Sequence, residues 1–276
     1  MRIDAHQHYW KPQRGDYGWL TPDTGVLYRD WLPEQLEPLL HSHGIARTVV
    51  VQAAPTVEET RYLLALSEAH SSIAGVVGWI DFESPHFASE LERMRLHPRF
   101  VGLRPMIQDL PKDWMLREPV VRHMKVLEKE RFPLDLQLRP HLLDSAARLM
   151  EQVPQLRAVI DHIAKPVYGQ AFAEWKAGIE RLAAYPGMLC KLSGMVPEQG
   201  DTEWSSELWK PYAETIFAAF GPERIMFGSD WPVCLISASY DEVVETAASL
   251  LPSGWGAAEL AGVWGLNAAR FYGLED

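Results

Sequence analysis

Residues 2–8 read Arg-Ile-Asp-Ala-His-Gln-His, a short run that closes on two imidazoles. Successive side chains of a strand point to opposite faces, so residues two apart share one. His6 and His8 therefore share a face at the end of the run, and Asp4 has the same parity one layer deeper. Two imidazoles side by side are half a site for Zn²⁺ or a similar ion. Taken alone, they read equally well as packed or surface groups.

Seven further apolar, β-branched runs follow, at 48–54 (TVVVQAA), 73–81 (IAGVVGWID), 100–106 (FVGLRPM), 133–139 (PLDLQLR), 158–163 (AVIDHI), 188–193 (MLCKLS) and 224–231 (RIMFGSDW). Amphipathic segments with helical spacing lie between them, for example at 57–70, 118–131, 142–153 and 204–220. The runs start mostly about 30 residues apart, the length of one βαβ unit. Eight such units in 276 residues predict an α/β protein, a single-domain (β/α)₈ TIM barrel over 1–276. Near-continuous apolar strands fit a parallel sheet covered by helices. Residues 9–32 form a long loop after the first strand, on the face where barrels carry their chemistry. Its Tyr9, Trp10, Tyr17, Trp19, Tyr28 and Trp31 either stack on a sugar ring or fill core beneath the loop. A further helix over 257–274 packs on the barrel.

The formal net charge of −11 argues against a nucleic-acid partner. No apolar run has transmembrane length, so no membrane partner is expected. The start Met1-Arg2-Ile3-Asp4 lacks the apolar core of a signal peptide. With only Cys190 and Cys234, a disulfide framework is not expected either, and the expectation is a cytoplasmic protein.

Polar residues cluster at the ends of the other runs. Asp230 closes the eighth, an expensive place for a carboxylate unless it is paired or metal-bound. Asp161 and His162 close the sixth; adjacent residues alternate, so His162 is expected inside, with Asp161 buttressing the outside or a neighbouring strand. Arg104 closes the fourth run. Arg139 closes the fifth, with Gln137 on one face of it. Lys191 and Ser193 share a face of the seventh, and Lys165 follows His162. Cations converging on one barrel mouth suit a carboxylate or a developing oxyanion. Gln52, Trp79 and Asp81 are weaker candidates, and Trp231 adjoins Asp230.

The set His6-x-His8, Asp161-His162 and Gly228-Ser229-Asp230-Trp231-Pro232 resembles the amidohydrolase superfamily, in its amidohydrolase 2 branch. The likeness runs from Asp4 to Asn267-Ala268-Ala269-Arg270-Phe271-Tyr272, and Gly15-Asp16-Tyr17-Gly18-Trp19-Leu20 resembles the sugar-acid lactonases of that branch. The resemblance implies a hydrolase that opens a small lactone of the L-fucono- or L-rhamnono- type, its only partner a small molecule. It implies His6, His8 and Asp230 as ligands of one divalent metal ion, Zn²⁺, although some members need none. It implies Asp230 and His162 as catalytic groups, and Arg104, Gln137, Lys165, Lys191, Trp19, Trp79 and Trp231 around the substrate. Arg104 stands where the wider superfamily carries a bridging lysine, and Gln137 where it carries a histidine, so a binuclear centre is not expected. The alternatives are a metal-dependent decarboxylase of an aromatic or unsaturated acid, or a pyrone-dicarboxylate-type lactonase.

Overall fold

The computed structural model describes residues 1–195 and 206–274. Among them eight strands pair in parallel and in chain order: β1 (Ile3–Gln7), β2 (Arg47–Val51), β3 (Ile73–Gly78), β4 (Phe100–Leu103), β5 (Leu134–Leu136), β6 (Ala158–Ile160), β7 (Met188–Leu192) and β8 (Ile225–Phe227). β8 returns to β1 through two backbone hydrogen bonds, Asp230 N–H to His6 O (2.8 Å) and His8 N–H to Trp231 O (2.7 Å). The result is a (β/α)₈ TIM barrel. The ladders are shorter than the apolar runs, mostly at their C-terminal ends, because the polar residues there leave the sheet to build turns around the mouth.

The covering helices include α1 (Pro33–Ser42), α2 (Val57–Ala69), α3 (Phe87–Met94), α4 (Glu118–Glu130), α5 (Leu143–Gln152), α6 (Phe172–Ala183), α7 (Ser206–Phe220) and α8 (Tyr240–Leu250). The first two residues of the 204–220 segment lie outside the described residues. Local chemistry starts some of these helices: the Thr56 hydroxyl accepts from Glu59 N–H at the head of α2, and Ser239 and Glu242 cap α8 reciprocally. None of the described helices is long and apolar enough to cross a membrane.

Two apolar layers result. One joins the helices to the outer face of the sheet. The other lies inside the barrel, where Ile3, Ala5, Val49, Val51, Val77, Val159 and Met226 meet Phe271 and Tyr272. The C-terminal segment is therefore a plug rather than one helix on the flank. It runs as α9 (Ala257–Ala261), a wider π-type turn (Gly262–Leu266) and α10 (Asn267–Tyr272). Most aromatics of the strand-1 loop fill core: Tyr9, Trp10, Tyr17 and Trp31 are buried, and Trp10 and Trp31 exchange backbone hydrogen bonds at 3.0 Å.

Candidate active site

Asp4 pairs with Thr48 and Gln7 with Val50, so β1 carries one extra residue between them. This bulge turns Ala5 and His6 successively toward the interior. Asp4 then does not lie under His6, as parity alone predicts. It reaches the other way, accepting from Ser229 N–H (2.9 Å) and the Tyr240 hydroxyl (3.2 Å), and burial raises its carboxyl to about 6.

Two turns complete the mouth. In one, Asp230 adopts a left-handed backbone (φ 59°) just past β8. Gly228 comes before it, where a Cβ would lie 2.7 Å from that of His6. In the other, after β6, His162, Ile163, Ala164 and Lys165 all have positive φ. Such a conformation costs roughly 1–2 kcal/mol per non-glycine residue and persists only where the surroundings hold it. The reversed handedness is why strand alternation fails here: Asp161 and His162 both face inward, so Asp161 does not buttress the outside and instead meets Lys191 of the neighbouring strand β7 at 3.1 Å.

Around this mouth His6 Nε2 lies 3.2 Å from His8 Nε2, and His8 Nε2 lies 3.2 Å from Asp230 Oδ1. His6 Nε2 and His162 Nε2 stand 3.8 and 3.7 Å from the same oxygen. Burial raises Asp230, but the facing His162, His8 and Lys165 outweigh it and hold the carboxyl below its ordinary range. Burial also pushes His6 and His162 well below the usual histidine range, and His8 in the same direction. The site therefore holds an ionised Asp230 among neutral imidazoles near pH 7.

Tautomers follow from the partners. His8 Nδ1 faces the Val51 carbonyl at 2.7 Å and must donate, which leaves a lone pair on Nε2. That lone pair faces the Asp230 carboxylate, and two acceptors this close need a proton or a cation between them. His6 Nδ1 has a donor in Lys191 (3.0 Å) and an acceptor in Asp161 (3.2 Å). Pairing with Asp161 frees His6 Nε2 as a third convergent lone pair. His6, His8 and Asp230 thus present nitrogen and oxygen donors within 4.8 Å of one another, a set that suits a divalent ion. His6, Asp161 and His162 also gather within that distance, but Asp161 is already engaged by Lys191 (3.1 Å) and Arg104 (3.5 Å).

The cavity beside these groups measures about 190 Å³ and brings His8, His162 and Asp230 together with Arg104, Gln137 and Lys165. Trp10, Trp19, Met106, Gln108 and Asp109 also face it. Lys165 donates to Gln108 at 3.0 Å, and Arg104 to the Gln52 carbonyl, so Gln52 braces the wall rather than lining it. Three expected substrate contacts are not at this cavity. Lys191 is wholly buried beneath His6, between Asp135 (2.5 Å) and Asp161, because the apolar strand around it offers its ammonium no other partner. Trp231 is 1% exposed and packs behind the mouth against Trp31 and Tyr9. Trp79 lines a separate, outer cavity, together with Asp81. Arg139 lies past β5 on a turn away from the cavity lining.

Sequence reasoning missed Asp135, although a carboxylate inside Leu134-Asp135-Leu136 is the same signal that picked out Asp230. Tyr272 donates to it at 2.8 Å from the plug. Met106, Gln108 and Asp109 carry no such signal, since they come from an irregular loop.

The amidohydrolase family model matches residues 3–274. The chain is 36% identical to an L-fucono-1,5-lactonase of Burkholderia ambifaria, over all of this chain and 96% of that protein. An L-rhamnono-gamma-lactonase of Scheffersomyces stipitis is 27% identical over half of this chain and 47% of its own length. Among solved structures, an amidohydrolase from Burkholderia multivorans with bound zinc superposes with a TM-score of 0.94 at 35% identity, covering both chains fully. A probable 2-pyrone-4,6-dicarboxylic acid hydrolase from Acinetobacter baumannii, 16% identical and covering 99% of each chain with a TM-score of 0.81, shares the fold. A family model that spans nearly the whole chain and relatives alike over its full length agree: the chain belongs to the amidohydrolase family.

Proposed function

We propose that this protein is a lactonase that opens the ring of a small sugar-acid lactone of the L-fucono-1,5-lactone type. The observation that carries the reading is the ionised Asp230 facing neutral His8 across 3.2 Å, in a cavity also lined by Arg104 and Lys165. The full-length likeness to L-fucono-1,5-lactonases supports the substrate class.

A cavity of about 190 Å³ falls below the roughly 300–1,000 Å³ of drug-sized ligand sites and suits a single small ring. Asp230 takes the proton of a water attacking the lactone carbonyl, and the new C–O bond replaces the bond to the ring oxygen. Asp230 then returns the proton to that ring oxygen as it leaves, giving the open hydroxy acid. Arg104 and Lys165 face the carbonyl oxygen as its charge grows, and His162 is placed to donate there. Gln137 and Trp19 hold the ring. His6, His8 and Asp230 would hold a divalent metal, which we take to be Zn²⁺; when bound, it supplies Lewis acidity at the carbonyl.

A pH-indicator assay over a panel of aldonolactones, with and without chelator, tests this. Turnover of L-fuconolactone or L-rhamnonolactone is expected. Release of CO₂ from an aromatic acid, with every lactone left intact, would overturn the reading.

A further inference from the structure

A second cavity of about 530 Å³ adjoins the first and shares Trp19, Met106 and Asp109 with it. Trp19 is 36% exposed, yet three attachments fix it. Its indole N–H donates to the Ala53 carbonyl at the end of β2 (2.7 Å). Its edge meets Trp10 at 5.2 Å between centroids. The preceding loop is fastened to the head of α2, where Asp16 accepts from both Arg14 (2.7 Å) and Thr56 (3.0 Å). Thr56 is itself the cap of that helix, so the loop is tied to rigid structure.

We infer that Trp19 is the partition that sets substrate size, and that Asp16 is the positioning residue that keeps it in place. This rests on the lactonase reading. With Trp19 in place the inner cavity takes a single ring. Without it the two spaces join, and a substituent on the lactone enters the outer one. The chemistry of the outer cavity names the substituent: Trp79 and Trp114 offer aromatic surface, Asp81 and Asp109 accept from hydroxyls, and Arg117 is held by Glu83 at 3.1 Å. A neutral sugar or aromatic ring fits such a surface, whereas an added carboxylate meets like charge.

The experiment compares kcat/KM for L-fucono-1,5-lactone with its singly O-benzylated, O-glucosylated and O-carboxymethylated derivatives, in wild type, Trp19→Ala, Trp19→Phe and Asp16→Ala. In Trp19→Ala the substituted-to-parent ratio for at least one benzyl or glucosyl derivative should rise about ten-fold or more. Trp19→Phe and Asp16→Ala should raise the ratio for the same derivative by less, and carboxymethyl derivatives should gain nothing. Ratios within about two-fold of wild type in all three variants overturn the inference while leaving lactone opening by the wild type intact. Should the wild type open no lactone, the lactonase reading fails by itself. Calorimetric binding of the same compounds then gives the ratio, and equal ratios or no binding overturn the partition.

Discussion

Two clusters of ionisable side chains stand one above the other in this barrel, and they are built on opposite rules. In the lower one, Lys191 sits between Asp135 and Asp161, and Tyr272 closes the set from the plug. Opposite charges are in contact there and solvent has no access. In the upper one, His6 and His8 point lone pairs toward the Asp230 carboxylate, His162 stands 3.7 Å from the same oxygen, and the group opens onto a cavity. The lower cluster sets its carboxylates against a cation. The upper one is complete only with a proton, a cation or a substrate among its acceptors. Burial alone therefore does not separate a structural charge from a reactive one; the signs of its neighbours do.

Four substitutions would break or sharpen this contrast. Asp230→Asn removes the carboxylate that His6, His8 and His162 all face. It should lower kcat by roughly 10²–10⁴-fold while circular dichroism and unfolding stay near wild type. A variant that turns over normally would move the chemistry elsewhere. Lys191→Met leaves Asp135 buried without its cation and Asp161 with Arg104 at 3.5 Å, and should cost roughly 3–5 kcal/mol in urea unfolding. A loss well under 1 kcal/mol would mean that the lower cluster does not depend on its pairing.

Gly194→Ala probes the support of the upper cluster. Gly194 has a positive φ, and a Cβ there would lie 2.5 Å from the ring of His162, which also meets the Ser193 hydroxyl at 2.8 Å. Displacing that ring should lower kcat/KM by about 10–100-fold, with a smaller loss of stability. Unchanged kinetics would remove His162 from the reaction.

A buried carboxylate outside both clusters calibrates them. Glu59 accepts from Ala53 N–H at 2.9 Å, and burial raises it from 4.5 to about 8. A raised carboxyl binds more protons folded than unfolded, so its contribution is complete below pH 4.5 and is lost as pH climbs through about 8. Glu59→Gln keeps an acceptor oxygen and removes that loss. Its stability relative to wild type should therefore rise across the window, by on the order of a few kcal/mol. A flat difference between the two proteins would show that Glu59 is not desolvated.

The barrel and the members of its site were legible because each rests on a strong local signal: eight apolar runs at even spacing, and polar residues ending them. Orientation was less legible. Strand parity assumes regular backbone, and the extra residue in β1 and the left-handed turn after β6 each break that assumption where the site is made. Asp4 and Asp161 were misplaced for that reason. Lys191 was misplaced because a lysine in a strand looks the same in sequence whether its ammonium meets a substrate or two buried aspartates. The partner, Asp135, lies 56 residues away.

The seam of the barrel has a consequence for the order in which the protein comes into being. The backbone bonds that join β8 to β1 are made by His6, His8, Asp230 and Trp231 themselves. His8 and Asp230 are 222 residues apart. Contacts of such separation form late, after most loop-closure entropy has been spent on nearer pairings. A chain emerging from the ribosome can thus carry seven strands and their helices and still have no active site. Completion of the fold and acquisition of chemistry become one event, and a partly built copy is inert.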